Sequence, residues 1–358
     1  MDLPELEIGD LKIEVPIIQG GMGVGVSKAR LAAAVSKAGG LGVIASVGLG
    51  KHDNSKGDYE TTSRHALVEE IKKVKDQNLP VGVNIMVALS NYKSLVSACV
   101  EAGADVIISG AGLPMKLAGY VEDPAVKLAP IVSSGRAAAL ICNTWLKRTG
   151  RLPDAMVVEG PLAGGHLGFL KQALLEGNAG PLESLVEEVI RFMAPYAEIK
   201  GRPIPVIAAG GIYTGQDIAR FLHLGAAGVQ MGTRFVATHE CDAHEAYKQA
   251  FIDADEEDII LIQSPVGLPA RVVRNAFVDK SISGVKQKFS CTCRCLLTCD
   301  AKKANYCIAD ALSNSSQGVL DEGFAMCGKN AYRIKKLVSV PQLLDDVIRE
   351  AMEFTAGS

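Results

Sequence analysis

The stretch that decides the fold is PVIAAGGIYTGQDIARFLHLGAAGVQMGTRF, residues 205–235. A short apolar run ends in two glycines, apolar residues then recur at helical spacing up to another glycine, and a second apolar run follows. Because short apolar runs bounded by turn residues are typical of buried strands, the pattern predicts a strand, a helix and a strand. Strands joined through a helix are parallel, so the stretch predicts a βαβ unit.

The same unit recurs from residue 15 to residue 254. Its apolar runs are VPIIQG (15–20), LGVIAS (41–46), PVGVNIMV (80–87), DVIISGAG (105–112), LAPIVSS (128–134), AMVVEG (155–160), PVIAAGG (205–211) and GVQMGTRF (228–235). Eight parallel strands close a TIM barrel, so we expect an α/β fold of the (β/α)8 class. An open doubly wound sheet has the same alternation and is the competing architecture.

The alternation stops beyond residue 254. A cysteine cluster and the amphipathic stretch VPQLLDDVIREAMEF (340–354) follow. With 358 residues, the chain fits about two domains of roughly 150 residues or one barrel with an appendage. We expect a barrel over residues 1–254 and a C-terminal appendage over 255–358 that packs on it.

Composition and charge exclude several classes of protein. The chain is 48% hydrophobic and 22% charged, and its net charge is −3, so neither a disordered chain nor a nucleic-acid partner is expected. The acidic start has no basic segment before an apolar one, and no apolar run reaches the ~18 residues of a spanning helix. We expect a cytoplasmic protein with no membrane partner, whose nine cysteines are reduced.

Two long connections follow predicted strands two and six, at residues 47–61 and 161–182, and are candidate active-site loops. In barrels, phosphate groups usually bind in the loops after strands seven and eight. Gly210 and Gly211 let the backbone approach a phosphate closely, while Gly232 and Thr233 offer amide and hydroxyl donors. The alternative is that both motifs are ordinary turns between strand and helix.

The first strand ends in QGGMGVG (19–25), which has some likeness to a dinucleotide-binding loop. That fingerprint requires G-x-G-x-x-G and an acid at the end of the next strand, whereas this chain has G-x-G-x-G and Ala45-Ser46 there. We reject it. A flat ring across the barrel mouth would instead lie against Gly21 and Met22.

His166 follows predicted strand six behind two glycines, in EGPLAGGHLG (159–168). Histidine titrates near neutral pH, so a histidine at a barrel mouth is a natural general acid or base. We expect an unobstructed imidazole with an ordinary pKa. The alternative is a surface-loop histidine with a local hydrogen bond. The other histidines have no comparable setting: His52, His65, His223, His239 and His244.

Five motifs together resemble the nitronate monooxygenase (2-nitropropane dioxygenase) family of FMN-dependent barrels, whose superfamily includes flavin-dependent enoyl-ACP reductases. They are PIIQGGMG (16–23), GVNIM (82–86), EGPLAGGHLG (159–168), PVIAAGGI (205–212) and GVQMGTRF (228–235). The resemblance implies FMN as the cofactor and His166 as the catalytic residue. It implies that Gly21, Met22 and Asn84 lie near the flavin ring, that Gly164 lies in its pocket, and that Gly211, Gln230, Met231, Gly232 and Thr233 hold its phosphate. Glu159, Gly165 and Gly210 complete the candidate cofactor-binding set.

The chain departs from the family just before the glycines, where nitronate-oxidising members have Gln-Gly-x-Glu-Ala-Gly-Gly-His. Glu159 in place of glutamine is similar to the reductase branch, and Leu162 in place of an acid matches neither branch. Two enzyme hypotheses stay open: oxidation of a small nitronate-like donor by dioxygen, and reduction of enoyl thioesters or quinones by NADH or NADPH. A flavin-free scaffold is the alternative that is not an enzyme, and a homodimer is left open.

The cysteine cluster comprises Cys291, Cys293, Cys295, Cys299 and Cys307, with Cys327 further on. It contains neither the paired C-x₂-C of zinc sites nor the ferredoxin run C-x₂-C-x₂-C-x₃-C. We therefore expect no metal and interpret these residues as reduced, oxidation-sensitive thiols, with metal binding as the alternative.

Overall fold

The computed structural model describes residues 3–51, 58–291 and 293–356. The strands are β1 (Leu6–Ile8), β2 (Leu11–Ile13), β3 (Ile17–Gln19), β4 (Val43–Ala45), β5 (Gly82–Met86), β6 (Val106–Gly110), β7 (Lys127–Val132), β8 (Met156–Glu159), β9 (Gly165–His166), β10 (Val206–Ala209), β11 (Gly228–Met231), β12 (Ile259–Gln263) and β13 (Pro269–Val273). The helices are α1 (Ala29–Lys37), α2 (Tyr59–Lys75), α3 (Tyr92–Glu101), α4 (Gly135–Thr149), α5 (Lys171–Leu175), α6 (Leu182–Lys200), α7 (Gly215–His223), α8 (Thr233–Val236), α9 (Glu245–Asp253), α10 (Ala276–Ile282), α11 (Ile308–Ser316) and α12 (Val340–Ala356).

Eight parallel strands form the barrel, in the order β3, β11, β10, β8, β7, β6, β5, β4. The two end strands meet where Ile18 pairs with Leu41, and the Gln19 amide donates to the Leu41 carbonyl at 2.9 Å. The predicted (β/α)8 class is therefore confirmed. Seven of the eight predicted runs contain a barrel strand, and the run 128–134 overlaps β7, which begins one residue earlier at Lys127; each strand is shorter than its predicted run.

The barrel interior is apolar and closed at its amino-terminal end. Leu6, Ile8 and Ile13 from the β1–β2 hairpin pack there with Ile18, Val157 and other inward strand residues. This plug directs any ligand to the opposite end, where the carboxyl ends of the strands lie.

Helices cover the outside of the barrel. Polar side chains cap the first turns of two of these helices. The Ser134 hydroxyl accepts a hydrogen bond from the Ala137 amide where α4 begins, and Thr214 and Asp217 form a capping box at the start of α7. No helix among the described residues is both long and apolar enough to cross a membrane.

The residues after 254 contact the barrel in two ways. Helix α12 matches the predicted amphipathic stretch and packs on α7, where the Gly215 amide donates to the Glu350 carboxylate at 2.8 Å. Strands β12, β13 and β9 form an antiparallel sheet, so the loop after β8 pairs with the C-terminal region. The sequence did not predict this pairing, and the division at residue 254 stays a prediction.

Candidate active site

A cavity of about 270 Å³ opens at the carboxyl ends of the barrel strands. All the site residues predicted from the sequence line it: Gly21, Met22, Asn84, Glu159, Gly164, Gly165, His166, Gly210, Gly211, Gln230, Met231, Gly232 and Thr233. Both candidate loops contribute, through Val47, Gly48 and Tyr59 from the first and Leu162 to His166 from the second. Residues 52–57 of the first loop lie outside the described residues.

One wall of the cavity is formed where the backbone of Gly21 lies directly against the side chain of Asn84. A Cβ atom on Gly21 would be 2.3 Å from the Asn84 Cβ, so a side chain there would displace the asparagine. Asn84 donates weakly to the Ile108 carbonyl at 3.4 Å and keeps its amide oxygen for other partners. This wall suits the face of a planar ring.

Gln230, on β11, lies beside Gly20 just after β3, and Glu159 ends β8, two strands further along the barrel. The Gln230 Oε1 atom is buried and has no hydrogen-bond partner among the described residues. Glu159 lines the cavity, and burial raises its pKa to about 7 by disfavouring the charged carboxylate. Buried polar atoms left without partners indicate that a ligand with hydrogen-bonding groups belongs here.

The predicted phosphate corner is built by loops that approach one another closely. Gly211 has φ +92°, and a Cβ on it would be 2.9 Å from the Leu162 Cβ. Its carbonyl accepts from Asn330 Nδ2 at 2.6 Å. The Thr233 hydroxyl accepts the Gly328 amide at 2.9 Å, which leaves the hydroxyl hydrogen to donate to a ligand. The sequence did not indicate Gly328 or Asn330, since nothing local marks their distant partners.

His166 belongs to β9 and is held in place from the C-terminal region. Its Nε2 lies 2.8 Å from the hydroxyl of Ser264, the buried residue that follows β12. Burial lowers the pKa of His166 to about 4, so the ring is neutral at cellular pH. The expectation of an unobstructed imidazole with an ordinary pKa is wrong, because β9 pairs with β13 and places the ring beside Ser264.

Arg271, on β13, fixes the loop that leads to His166. Its guanidinium donates to the carbonyls of Ala163 and Pro161, the second at 2.9 Å. The side chain is buried, so these carbonyls depend on it for partners. Sequence analysis missed Arg271, since one arginine in an apolar strand does not reveal what it contacts.

Apart from His166, the histidines that the structure describes do not reach the cavity. Those that the structure describes lie on or beside outer helices: His65, His223, His239 and His244. His65 pairs with Glu69 along α2, and His244 caps α9 by accepting the Ala246 amide at 3.1 Å. His52 falls outside the described residues.

The cysteine segment lies beside the cavity, which Cys295 lines. Among the residues that the structure describes, no group of three or more histidine, cysteine, aspartate or glutamate side chains is placed to hold a metal ion. Cys291, Cys295, Cys299 and Cys307 are thiols and are not joined in disulfides.

Known proteins resemble this chain over most of its length. The family model described as nitronate monooxygenase matches residues 5–350. A probable nitronate monooxygenase of Staphylococcus aureus is 28% identical over 75% of this chain and 78% of its own length. A 5-hydroxy-7a-methyl-1-oxo-octahydro-1H-indene-4-carboxyl-CoA dehydrogenase of Mycobacterium tuberculosis is 30% identical over 77% of this chain and 68% of its own.

Solved structures show the same architecture. FabK from Thermotoga maritima is 30% identical, covers 96% of this chain and 95% of its own, and superposes with a TM-score of 0.75. Nitroalkane oxidase from Streptomyces ansochromogenes is 22% identical with a TM-score of 0.71, covers 97% of this chain and 98% of its own, and supports the fold alone. Since the family match leaves out only a few residues at each end, this chain belongs to the nitronate monooxygenase family, a family of flavin-dependent oxidoreductases.

Proposed function

We propose that this enzyme binds FMN and oxidises a small nitronate-like donor, with dioxygen as the electron acceptor. The observation that carries the proposal is the neutral imidazole of His166, which faces a cavity whose opposite wall is built for a planar ring. A neutral imidazole can take the proton from the carbon of the parent nitro compound and so form the nitronate in the cavity, where it is then oxidised.

The residues of the cavity fit FMN. Gly21, Met22 and Asn84 would contact the flavin ring. The unpartnered amide oxygen of Gln230 would accept a hydrogen bond from a ring N–H. The phosphate would lie in the corner formed by Gly211 and Thr233, where the threonine hydroxyl can donate a hydrogen bond to it. When bound, FMN supplies the redox chemistry, accepting electrons from the donor and passing them to dioxygen.

The protein's own contribution is to position a base. Ser264 fixes the His166 ring through Nε2, so that the imidazole does not rotate away from the cavity. The low pKa keeps the ring deprotonated before a donor enters. An anionic donor in the cavity then favours the protonated ring, because an opposite charge nearby raises the pKa of histidine.

A second function, NADH- or NADPH-dependent reduction of enoyl thioesters or quinones, is favoured by Glu159. This reaction needs a proton donor, and a carboxyl with a pKa of about 7 carries a proton much of the time at cellular pH. The similarity to a carboxyl-CoA dehydrogenase and to FabK, each at 30% identity, supports this alternative.

Anaerobic mixing separates the two functions. Purified protein should be yellow, and denaturation should release FMN. A nitronate alone should bleach the flavin absorbance, while NADH and NADPH should leave it unchanged. Bleaching by a nicotinamide but not by a nitronate would reverse the assignment, and a colourless protein that takes up no added FMN would end both proposals.

A further inference from the structure

The corner at Gly211 and Thr233 offers a phosphate neutral hydrogen-bonding groups but little positive charge. Lys329 is the only cationic side chain among the described residues that line the cavity, and its Nζ already pairs with Glu256 at 3.1 Å. A phosphate ester carries a charge of about −1.5 to −2 at neutral pH. Taking such a charge out of water is unfavourable unless opposite charge lies near it. A phosphate in this corner therefore needs further counter-charge from the chain.

Two arginines beside this corner stack on one aromatic ring. The guanidinium carbons of Arg234 and Arg333 lie 4.5 Å and 4.3 Å from the ring centroid of Tyr213, a residue that lines the cavity. Arg234 also donates from Nη1 to the Tyr213 carbonyl at 2.8 Å. The face of a tyrosine ring attracts a cation, so one ring holds two positive charges next to the cavity.

Each member of this stack comes from a segment that builds the corner. Tyr213 lies two residues after Gly211, and Arg234 directly follows Thr233. Arg333 lies three residues after the asparagine that donates to the Gly211 carbonyl. Two residues of chain span at most about 7 Å, and the Debye length at physiological salt is about 8 Å. The stack is therefore close enough to interact with a charge in the corner.

The two guanidiniums are not neutralised by acids of the protein. Within the part of the chain that the structure describes, neither forms an ion pair. Two acids lie near the stack and are bound to backbone amides. Asp217 accepts the Tyr213 amide at 3.0 Å, and Glu350 accepts the Gly215 amide at 2.8 Å. The positive charge of the stack thus remains available to a ligand.

We propose that Arg234 and Arg333, held on Tyr213, are the counter-charges for the phosphate of the bound flavin. The inference rests on the proposed binding of FMN and adds the residues that select the phosphorylated form. Neither arginine is among the described residues that line the cavity, so both act through their charge. Over such a distance, one unit charge changes the affinity for a dianion about fivefold. Riboflavin, which has no phosphate, gains nothing from it.

The test is fluorescence titration of the full-length, flavin-free protein with FMN and with riboflavin. Arg333→Met removes the charge and keeps the apolar stem. We expect its Kd for FMN to rise about fivefold and its Kd for riboflavin to stay unchanged, which also shows that the site is folded. Arg333→Lys keeps the charge and should restore the affinity for FMN. Arg349→Met is the matched control, since Arg349 pairs with Asp346 on α12 at 2.7 Å and should bind both flavins like the wild type.

Salt gives an independent readout that a structural role would not move. Raising the ionic strength from about 0.05 M to about 0.5 M shortens the range of the charges. We expect this change to weaken FMN binding more in the wild type than in the double variant Arg234→Met/Arg333→Met. Riboflavin binding should respond to salt equally in both proteins.

Two outcomes would overturn this inference alone. Equal loss of FMN and riboflavin affinity in the variants would mean that the stack only holds the segment 329–333 in place. An unchanged Kd for FMN in the double variant would mean that its charge does not reach the phosphate. Both results leave FMN binding and nitronate oxidation standing, whereas a wild-type protein that binds neither flavin would end the proposed function as well.

Discussion

At the scale of single residues, the site depends on groups whose surroundings change their ordinary chemistry. His166 is neutral because it is buried, and for the same reason Glu159 carries a proton much of the time near neutral pH. The sequence identifies both residues but predicts neither state. A pKa is set by what surrounds a group, and those surroundings come from other parts of the chain.

Replacing His166 should slow the chemical step and leave flavin binding unchanged. We expect His166→Ala to lower turnover by about 10²- to 10⁴-fold, the usual contribution of general acid–base catalysis, with bound flavin retained. His166→Asn keeps a hydrogen-bonding group for Ser264 but does not titrate near neutrality. Steady-state kinetics with the flavin content measured in parallel checks both variants. Wild-type turnover in both would show that the proton moves through another group.

Glu159 should make stability depend on pH. Its folded pKa of about 7 lies above the 4.5 of the unfolded chain, so its contribution to stability is full below 4.5 and is lost as pH rises through 7. Glu159→Gln removes this loss. We expect the variant to exceed the wild type in free energy of unfolding at pH 8, by at most roughly 3 kcal/mol, and much less at pH 5. Urea unfolding of flavin-free protein at the two pH values measures it. An equal difference at both would contradict the burial of this carboxyl.

At the scale of elements, the barrel strands were predictable and the sheet that completes the site was not. Strands such as β10 and β11 are apolar runs between turn residues, a pattern that is visible in any single segment. Strand β9 has two residues, one of them glycine, and its partner β13 lies about a hundred residues away. Neither carries a local signal of the pairing, so Ser264 could not be connected to His166 from the sequence.

Arg271 should be essential to the loop between β8 and β9. Arg271→Met keeps the apolar stem but leaves the carbonyls of Ala163 and Pro161 without their donor. We expect a loss on the order of 2 kcal/mol in the free energy of unfolding, together with weaker flavin binding. Arg274→Met is the matched control, since Arg274 forms an exposed pair with Asp279 and its replacement should leave stability close to that of the wild type. Similar losses in both variants would argue against this role.

Gly211 can be tested against a glycine with the same backbone strain outside the site. Gly211 has φ +92° and Gly225 has φ +100°, so alanine at either position should lower stability by about 1 kcal/mol or more. Only Gly211→Ala places a methyl group against Leu162 in the phosphate corner. We expect flavin affinity to fall in that variant and to stay unchanged in Gly225→Ala. Fluorescence titration with FMN distinguishes them, and equal affinities would remove Gly211 from the phosphate site.

At the scale of the whole molecule, ligand binding and folding should be coupled. The cavity is lined by residues from Gly20, just after β3, to the segment 328–330, so a cofactor bound there would contact parts of the chain that are far apart in sequence. A ligand that binds only the folded state stabilises it by mass action. Bound FMN should therefore stabilise the barrel and the C-terminal region together against unfolding.

We expect FMN at about 100 times its Kd to raise the free energy of unfolding by about 2.7 kcal/mol. Riboflavin has the same ring but no phosphate, so at the same concentration it should stabilise the protein less. Thermal unfolding of flavin-free protein with each compound measures the difference. Equal stabilisation by the two would contradict a phosphate site at Gly211 and Thr233.

The pairing of β9 with β13 has a consequence for synthesis on the ribosome. All eight barrel strands have been synthesised once residue 231 is added, yet Ser264, Arg271, Gly328 and Asn330 are still to come. A nascent chain halted between these points would have the strands of a barrel, but His166 would lack its hydroxyl partner and the phosphate corner would stay open. The last third of translation thus decides when the protein becomes competent to capture its cofactor.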